Sequence, residues 1–485
     1  MKTQLQMTLC LLTIGAIMSI SHANAAQEPW PPMPEPGPAP QFSPPAYTKF
    51  KLGNGINVTF IQASKVPITH LQINAYSGYA QEPLDKRGLA NFASKMPMEG
   101  TSSKSGLEIS LALQTLASNL QIYTELEHSS AVMNSLDDKL DDTLAILSDV
   151  LQNPAFEEAN VERVRKNLQN SIYTEKDNLR QTADKVFRSV LFGDEYLGQW
   201  KRGTHTSVEG IKKDDLAQWH AAVWQPANVG ITVVSGLAQE TIQASLEKAF
   251  GTWTSEANVL PELKVSEKQP HQGVKLYWVQ KDGASQSVVT IGNIARAFDP
   301  AHSTATQVGN QALGGQFTAR INMNLREDKG YTYGARSGVT NQKHSGYYRA
   351  SASVKANTTA PSIVEFLKEL GGITKENPIT PTEFQNAQGS MLQGFPAYFE
   401  KSSGVLRRYA SVDAYKRPDN WLQEYNKRVS GVTMKHAQTE LNTLINIEDL
   451  VVVVVGDWKI AGEAVAALNL GEVVYLDHNA KPVSR

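Results

Sequence analysis

The chain has 485 residues, of which 41% are hydrophobic and 19% are charged, and its formal net charge is −2. This length suits two to four domains, and the composition is typical of a soluble globular protein. The nearly balanced charge, without a long run of Lys or Arg, excludes an electrostatic reason for binding nucleic acid or an acidic membrane.

The first 25 residues are predicted to be a signal peptide. Lys2 supplies the positive end, residues 7–20 are mostly apolar, and Ala23-Asn24-Ala25 fits a cleavage site after Ala25. The alternative is a membrane anchor, but this apolar run is too short to span a bilayer comfortably. The only cysteine, Cys10, lies in this segment, so the mature chain would have neither disulfides nor thiol chemistry. We therefore expect an exported protein in the periplasm of a Gram-negative bacterium, without an integral membrane segment after cleavage.

Residues 26–45 are a proline-rich lead-in that we expect to be extended rather than folded as a domain. Just after it, Asn54-Gly55 is a strong signal for the turn of a β-hairpin. The apolar residues that predict the two strands of this hairpin are Phe50, Leu52, Ile56, Val58 and Phe60.

Residues 85–101 contain a predicted helix with two different faces. Its apolar stripe follows the spacing i, i+3, i+4, i+7 and consists of Leu89, Phe92, Ala93 and Met96. Asn91, Ser94 and Lys95 share another face, and Gly100 fits the end of the helical region. On these residues alone, the simplest interpretation of the polar face is an ordinary solvated helix surface. A similar apolar stripe predicts a second helix and consists of Val161, Val164, Leu168 and Ile172.

The rest of the chain reads as two halves of similar length. Each half closes on a buried strand followed by a helix: residues 228–236 and 240–250 in the first, 449–456 and 459–468 in the second. Residues 274–279 open the second half as a strand. We therefore predict an α+β protein with domains at 46–255 and 272–485, joined by a polar linker at 256–271 that contains Pro261 and Pro270.

A segment of the second half, residues 313–334, combines a Gly-rich start with Arg and Tyr residues. Phe317, Ile321 and Leu325 have helical spacing, and we interpret them as core. Arg326 has two interpretations at this point, a substrate contact or a salt bridge with Glu327 or Asp328.

Searches for other catalytic motifs are negative. There is no His-x-x-Glu-His, no nucleophile elbow and no phosphate loop or dinucleotide fingerprint. Two His–Glu pairs occur four residues apart, His205 with Glu209 and His436 with Glu440, but each lacks a second nearby His in the sequence. We therefore expect both pairs to be surface residues.

Over nearly all of the mature chain, the sequence resembles the insulinase/pitrilysin family of zinc metallopeptidases. The resemblance rests on Leu52-Gly53-Asn54-Gly55, residues 85–101, Glu162-Arg163 with the helix around it, and residues 313–334. In active members, the helix at 85–101 carries His-x-x-Glu-His, the inverzincin motif. Those three positions correspond here to Asn91, Ser94 and Lys95, and the position of a third ligand, a Glu, corresponds to Gln169. The resemblance implies two α/β-roll domains that face each other across a cleft, with no metal bound at these positions.

The resemblance also implies a role in catalysis by another subunit. In relatives, an Arg and a Tyr of the block at 313–334 hydrogen-bond the substrate backbone and steady the oxyanion; by position they would be Arg326 and Tyr333, with Tyr331 less favoured. The chain resembles the metal-free subunit of heterodimeric members, whose catalytic partner holds the zinc. The expected function is binding of a peptide or unfolded polypeptide and assistance to that partner's active site, with no cofactor and no catalytic residue in this chain alone. The alternatives are a purely structural homologue, or a lone peptidase with displaced metal ligands.

Overall fold

The computed structural model describes residues 42–254 and 272–484, together with residues 37, 259, 263 and 265. The predicted signal peptide with Cys10, most of the lead-in and most of the linker 256–271 lie outside these residues. Residues 40–485 belong to one compact unit. The boundaries predicted for two domains within it stay a prediction.

The first half is built on a six-stranded mixed sheet. Its strands are β1 (Thr48–Lys51), β2 (Asn57–Gln62), β3 (Ile68–Ala75), β4 (Asn119–Thr124), β5 (Ser129–Leu136) and β6 (Val229–Ser235). The strand order is β1-β2-β6-β3-β5-β4. β1 and β2 form the predicted antiparallel hairpin, with Gly55 at a φ of +90° in its turn. β6 is buried along its whole length, as a continuous apolar run predicts for a central strand.

Helices complete the first half around this sheet. They are α1 (Leu89–Ala93), α2 (Gly106–Thr115), α3 (Leu140–Gln152), α4 (Glu158–Glu175), α5 (Leu179–Phe192), α6 (His205–Gly210), α7 (Lys213–Val223) and α8 (Gln239–Phe250). The predicted apolar stripe of α4 is buried, with exposed fractions of 0–8%. The helices predicted around residues 161–172 and 240–250 are therefore confirmed.

The second half repeats this architecture. Its strands are β7 (Lys275–Gln280), β8 (Gln286–Ala295), β9 (Thr332–Asn341), β10 (Gly346–Lys355), β11 (Val451–Gly456) and β12 (Val473–Leu476). Their order is β12-β7-β11-β8-β10-β9. In both sheets the central strand, β6 or β11, runs parallel to one neighbour and antiparallel to the other. The duplication predicted from pattern alone is thus present in the topology.

The helices of the second half include two wide-turn segments of π-helix. The α-helices are α9 (Pro300–Asn310), α10 (Arg320–Asn322), α11 (Thr359–Thr374), α12 (Pro381–Gly394), α13 (Ser402–Ala414), α14 (Tyr425–Ser430), α15 (Met434–Leu444) and α16 (Trp458–Ala466). The π-helical segments are Gln311–Gly315 and Met323–Asp328. Such segments are rare and are found frequently at functional sites.

The two halves exchange helices. Helix α5 of the first half packs on β8 and β11 of the second sheet, and α13 of the second half packs on β3 and β6 of the first sheet. Phe187 of α5 is fully buried, and its ring lies 5.9 Å from that of Tyr347. In the other direction, the Tyr76 hydroxyl donates a hydrogen bond of 2.7 Å to Asp413 on α13. Each half therefore completes the core of the other.

The described end of the lead-in also packs on the second half. The ring of Phe42 lies 5.9 Å from that of Phe395 and 5.2 Å from that of Phe399. The Asn426 side-chain amide donates to the Phe42 carbonyl oxygen at 3.1 Å. These contacts attach an extended segment to the fold without making it a domain.

In the part of the chain that the structure describes, no helix combines the length and the apolar character needed to cross a membrane.

Candidate functional site

The helix that corresponds to the metal-binding helix begins at a closely packed turn that requires glycine. Gly88 has a φ of +91°, and a Cβ at this position would lie 2.6 Å from the Arg202 carbonyl oxygen. The Glu82 carboxylate accepts hydrogen bonds from the backbone N–H groups of Gly88 at 2.9 Å and of Ala90 at 2.6 Å. Burial raises the pKa of Glu82 to about 8, although these two donors act in the opposite direction. The four residues of the predicted apolar stripe are at most 4% exposed, but the α-helix is shorter than predicted: it ends at Ala93, and Met96 begins a 3-10 helix.

The polar face of this helix is not an ordinary solvated surface. Asn91 and Ser94 are 9% and 7% exposed, and only Lys95 is exposed. The Ser94 hydroxyl donates to the Asn91 carbonyl oxygen at 2.8 Å. The expectation of a solvated face is therefore wrong for Asn91 and Ser94, because elements distant in sequence pack over a face that is polar in sequence.

Lys95 lies near two further cations. Burial lowers the pKa of Lys95, the nearby Arg202 and Lys201 lower it further, and Glu99 partly offsets them. Arg202 also pairs with Glu175 at 3.0 Å, and Lys201 with Glu125 at 2.9 Å. A protonated Lys95 has no lone pair to offer a metal ion and repels one.

Gln169 lies on α4 and is partly exposed. Together with Asn91, Ser94 and Lys95 it offers two amides, a hydroxyl and an ammonium, whereas Zn²⁺ binds imidazole, thiolate or carboxylate. The residues present do not fit a zinc ion, and no catalytic step through zinc can be derived for this chain.

The block at 313–334 holds its Arg and Tyr close together. Arg326 lies in the second π-helical segment, and its guanidinium donates to the Tyr333 carbonyl oxygen at 3.1 Å. Arg326 also forms an ion pair of 3.0 Å with Glu327, so the salt bridge considered from the sequence exists. The Tyr333 side chain is 89% exposed at the start of β9, whereas Tyr331 is partly buried. Tyr333 is therefore free to contact a ligand.

Phe317 is not a core residue. Ile321 and Leu325 are fully buried, but Phe317 is 47% exposed. The helical spacing fails because a turn separates the π-helical segment Gln311–Gly315 from α10, so Phe317 leaves the helical register. Its ring instead lies 4.6 Å beneath the Arg326 guanidinium. This cation–π contact helps to orient Arg326.

Two adjoining cavities extend from Lys201 and Arg202, which lie near Lys95, to β9. The first has a volume of about 510 Å³, and we call it the basic groove because six cations and two carboxylates line it. These residues are Arg180, Lys185, Arg188, Lys201, Arg202, Arg349, Glu175 and Asp184. The second cavity has a volume of about 330 Å³, shares Arg180, Asp184 and Arg349 with the groove, and reaches Gly334 and Arg336 on β9.

Sequence reasoning missed the charged residues of α5. Arg180, Asp184 and Arg188 are spaced by four residues and therefore share one helix face, which is the signal that could have found them. In the fold, Asp184 pairs with Arg188 at 3.1 Å and also with Arg349 of the second half. The spacing along α5 gives no sign of the pair with Arg349.

Comparison with known proteins identifies the same family in both halves. The family model described as insulinase (peptidase family M16) matches residues 58–204. The model described as peptidase M16 inactive domain matches residues 210–391.

Relatives and solved structures are similar over most of their length. An uncharacterized zinc protease of Mycobacterium leprae is 22% identical over 369 residues, covering 76% of this chain and 82% of that protein. The non-peptidase homolog YmxG of Helicobacter pylori is 22% identical over 411 residues, covering 83% of this chain and 92% of that protein. The crystal structure of a peptidase M16 inactive domain from Pseudomonas fluorescens has a TM-score of 0.77 at 20% identity, covering 85% of this chain and 98% of that chain. Together with the replaced ligands, these likenesses fit a non-catalytic homologue.

Proposed function

The chain belongs to the insulinase (M16) peptidase family, and we propose that it is the zinc-free subunit of a heterodimeric peptidase. In this proposal it binds a peptide or unfolded polypeptide together with a catalytic homologue that carries the zinc. Arg326 and Tyr333 then donate hydrogen bonds to the substrate backbone in the partner's active site.

The joint replacement of all four metal-site positions is the observation that carries this proposal. One lost ligand would leave room for a weakened site, but Asn91, Ser94, Lys95 and Gln169 supply neither a zinc ligand of ordinary strength nor a general base. The hydrophobic frame of α1 and α4 is nevertheless intact. A fold kept without its ion is what a binding subunit requires.

The edge strand of the second sheet carries the two proposed donors. Within the described residues β9 pairs with β10 alone, and side chains of its own half bind part of its outer side. The Ala335 N–H donates to Asn322 Oδ1 and the Ser337 carbonyl oxygen accepts from Asn310 Nδ2, both at 3.0 Å. Tyr333 stands at the start of β9 and Arg326 donates to its carbonyl oxygen. A guanidinium and a phenol placed there are donors suited to a substrate carbonyl oxygen as negative charge develops on it.

The experiment requires the partner. A homologue with intact His-x-x-Glu-His, encoded in the same genome, is co-expressed with this chain, and peptide hydrolysis is measured for each protein and for the mixture. We expect no hydrolysis by this chain alone, with or without a chelator, and hydrolysis by the mixture. Tyr333→Phe and Arg326→Ala should each lower kcat of the mixture by about 10²- to 10³-fold, the usual effect of losing one oxyanion donor. Assembly of the two chains should not change.

Tyr331→Phe is the matched control, because it removes the same hydroxyl from a neighbouring, less exposed tyrosine. A mixture with full activity in the Tyr333→Phe and Arg326→Ala variants would contradict the proposed role. It would favour the second candidate function, a structural homologue. The ion pair and the cation–π contact of Arg326 support that second candidate, since they give this residue a structural reason to be present.

The proposed location is the periplasm of a Gram-negative bacterium, after removal of residues 1–25. Amino-terminal sequencing of the protein from a periplasmic extract should begin at Ala26. A cytoplasmic protein that retains Met1 would contradict this location.

A further inference from the structure

A cluster of two histidines and a glutamate joins α9 to α15, away from the residues discussed so far. His302 lies in the first turn of α9, and His436 and Glu440 lie one turn apart on α15. One donor atom from each residue lies within 4.8 Å of the other two. The sequence expectation of a surface residue is wrong for Glu440, which is 4% exposed, whereas His436 is partly exposed.

The donor atoms are arranged around one carboxylate oxygen. Glu440 Oε1 lies 2.7 Å from His302 Nδ1 and 3.7 Å from His436 Nε2. Zinc–ligand bonds of about 2.0–2.1 Å in tetrahedral geometry place neighbouring ligand atoms about 3.4 Å apart. The distance from Glu440 Oε1 to His436 Nε2 is close to this value. A shift of His302 by less than about 1 Å would lengthen the distance from Glu440 Oε1 to His302 Nδ1 to the same value.

The outer contacts of the cluster resemble those of metal ligands. Glu440 Oε2 accepts a hydrogen bond from Thr306 Oγ1 at 3.2 Å and lies 3.4 Å from the Arg296 guanidinium, so Oε1 is left for the two imidazoles. Asp299 Oδ2 faces His302 Nε2 at 3.7 Å, while its Oδ1 caps α9 by accepting from the Ala301 N–H. This distance is longer than a hydrogen bond, whereas His302 Nδ1 donates to Glu440 Oε1 at 2.7 Å, so binding of a metal at Nδ1 would release that proton.

An ion cluster without a metal explains only part of this arrangement. The Arg296 guanidinium, 3.4 Å from Glu440 Oε2, already supplies a counter-charge for this carboxylate. At 3.7 Å, His436 is too distant for a hydrogen bond with the carboxylate, yet it is at the spacing of two ligands of one ion. Two imidazoles and a carboxylate are also a donor set that zinc uses in proteins.

We propose that His302, His436 and Glu440 bind one divalent transition-metal ion, with Zn²⁺ as the preferred species. The imidazoles are 39% and 43% exposed, so a water molecule can complete the tetrahedron from the solvent side. The ion fastens α9 to α15 and has no part in the peptidase function proposed above. Loss of this site would leave that proposal untouched.

The test uses the full chain without a histidine tag, stripped of metal by a chelator and then dialysed. Titration with Co²⁺ should produce the intense visible bands of a tetrahedral site at one equivalent, and Zn²⁺ should abolish them by displacement. Calorimetry with Zn²⁺ should give one site, and saturating Zn²⁺ should raise Tm, because an ion that binds only the folded chain stabilises it.

His302→Ala and His436→Ala should each weaken Zn²⁺ binding by at least tenfold and remove the Co²⁺ bands. The matched control is His205→Ala, since His205 forms the other His–Glu pair four residues apart, at 3.8 Å and without a third ligand. This variant should bind Zn²⁺ like the original chain. His436 is partly exposed, so its variant is expected to fold, and circular dichroism verifies that it does. Failure of the original chain to bind micromolar Zn²⁺, or equal binding by the folded His436→Ala variant, would overturn the proposal.

Discussion

The exchange of helices between the two halves predicts that one buried side chain on α5 stabilises both. Phe187→Ala removes a ring that is fully buried between α5 and the second sheet. This ring contacts Tyr347 of β10 edge to face, at 5.9 Å and 73°. Its tip lies 2.9 Å from the position of a Cβ on Gly292, so it occupies the space that the missing side chain of that glycine leaves open.

The expected loss of unfolding free energy is about 3–5 kcal/mol, the usual range for Phe→Ala in a core. We expect the upper part of this range, because the sheet backbone at Gly292 has no side chain that could relax into the cavity. Since a typical protein is stable by about 5–15 kcal/mol, this loss is a large fraction of the total. Phe187→Leu keeps most of the volume and should cost less than about 1.5 kcal/mol.

The assay is urea unfolding followed by circular dichroism, combined with amide hydrogen exchange resolved along the chain. In Phe187→Ala, protection should fall together in β6 of the first sheet and in β11 of the second, because one continuous apolar cluster contains Phe187, Val233 of β6 and Val453 of β11. Phe250→Ala is a useful comparison, since Phe250 is equally buried but lies on α8 within the first half. A loss below about 1 kcal/mol for Phe187→Ala, or reduced protection in only one sheet, would refute the interlocked arrangement.

Three further predictions concern titratable and capping groups. Burial lowers the pKa of His220 to about 4, so the free energy of unfolding should fall by about 1.4 kcal/mol per pH unit as the pH drops from about 6.5 towards 4. In urea unfolding, His220→Gln should reduce this pH dependence, and an unchanged pH dependence would contradict the assignment to His220. The pKa of Glu82 is raised from 4.5 to about 8, so the stability that its neutral form contributes is present below pH 4.5 and is lost as the pH rises from there through 8. Glu82→Gln should flatten the stability loss between about pH 4.5 and 8, and the same urea series tests it. Ser105 and Glu108 form a capping box at the start of α2. Ser105→Ala should therefore lower the free energy of unfolding, measured by chemical denaturation, by about 0.5–2 kcal/mol. No measurable loss would show that the capping box is not stabilising.

Local patterns predicted several elements of both halves. The Asn54-Gly55 turn, the stripe of α4 and the apolar run of β11 each depend on neighbours within one turn or one strand, and the structure confirms them. The loss of zinc ligands is likewise a matter of residue type, because no fold can give Lys95 a lone pair when it is protonated.

Contacts between distant segments could not be predicted in this way. Periodicity assumes that a helix continues, and it failed at Phe317 because a turn interrupts the helix there. It also says nothing about which element covers a polar face, so the burial of Asn91 and Ser94 was not foreseen.

Residue type and short-range spacing sufficed to assign the chemistry that each position can offer and the local elements that carry it. Which of these residues meet depends on the fold. The packing of α9 on α15 brings His302 to Glu440, and the exchange of α5 and α13 joins two halves that look separate in sequence. Long-range packing is selected by the complementarity of whole surfaces, and no window of neighbouring residues contains that information.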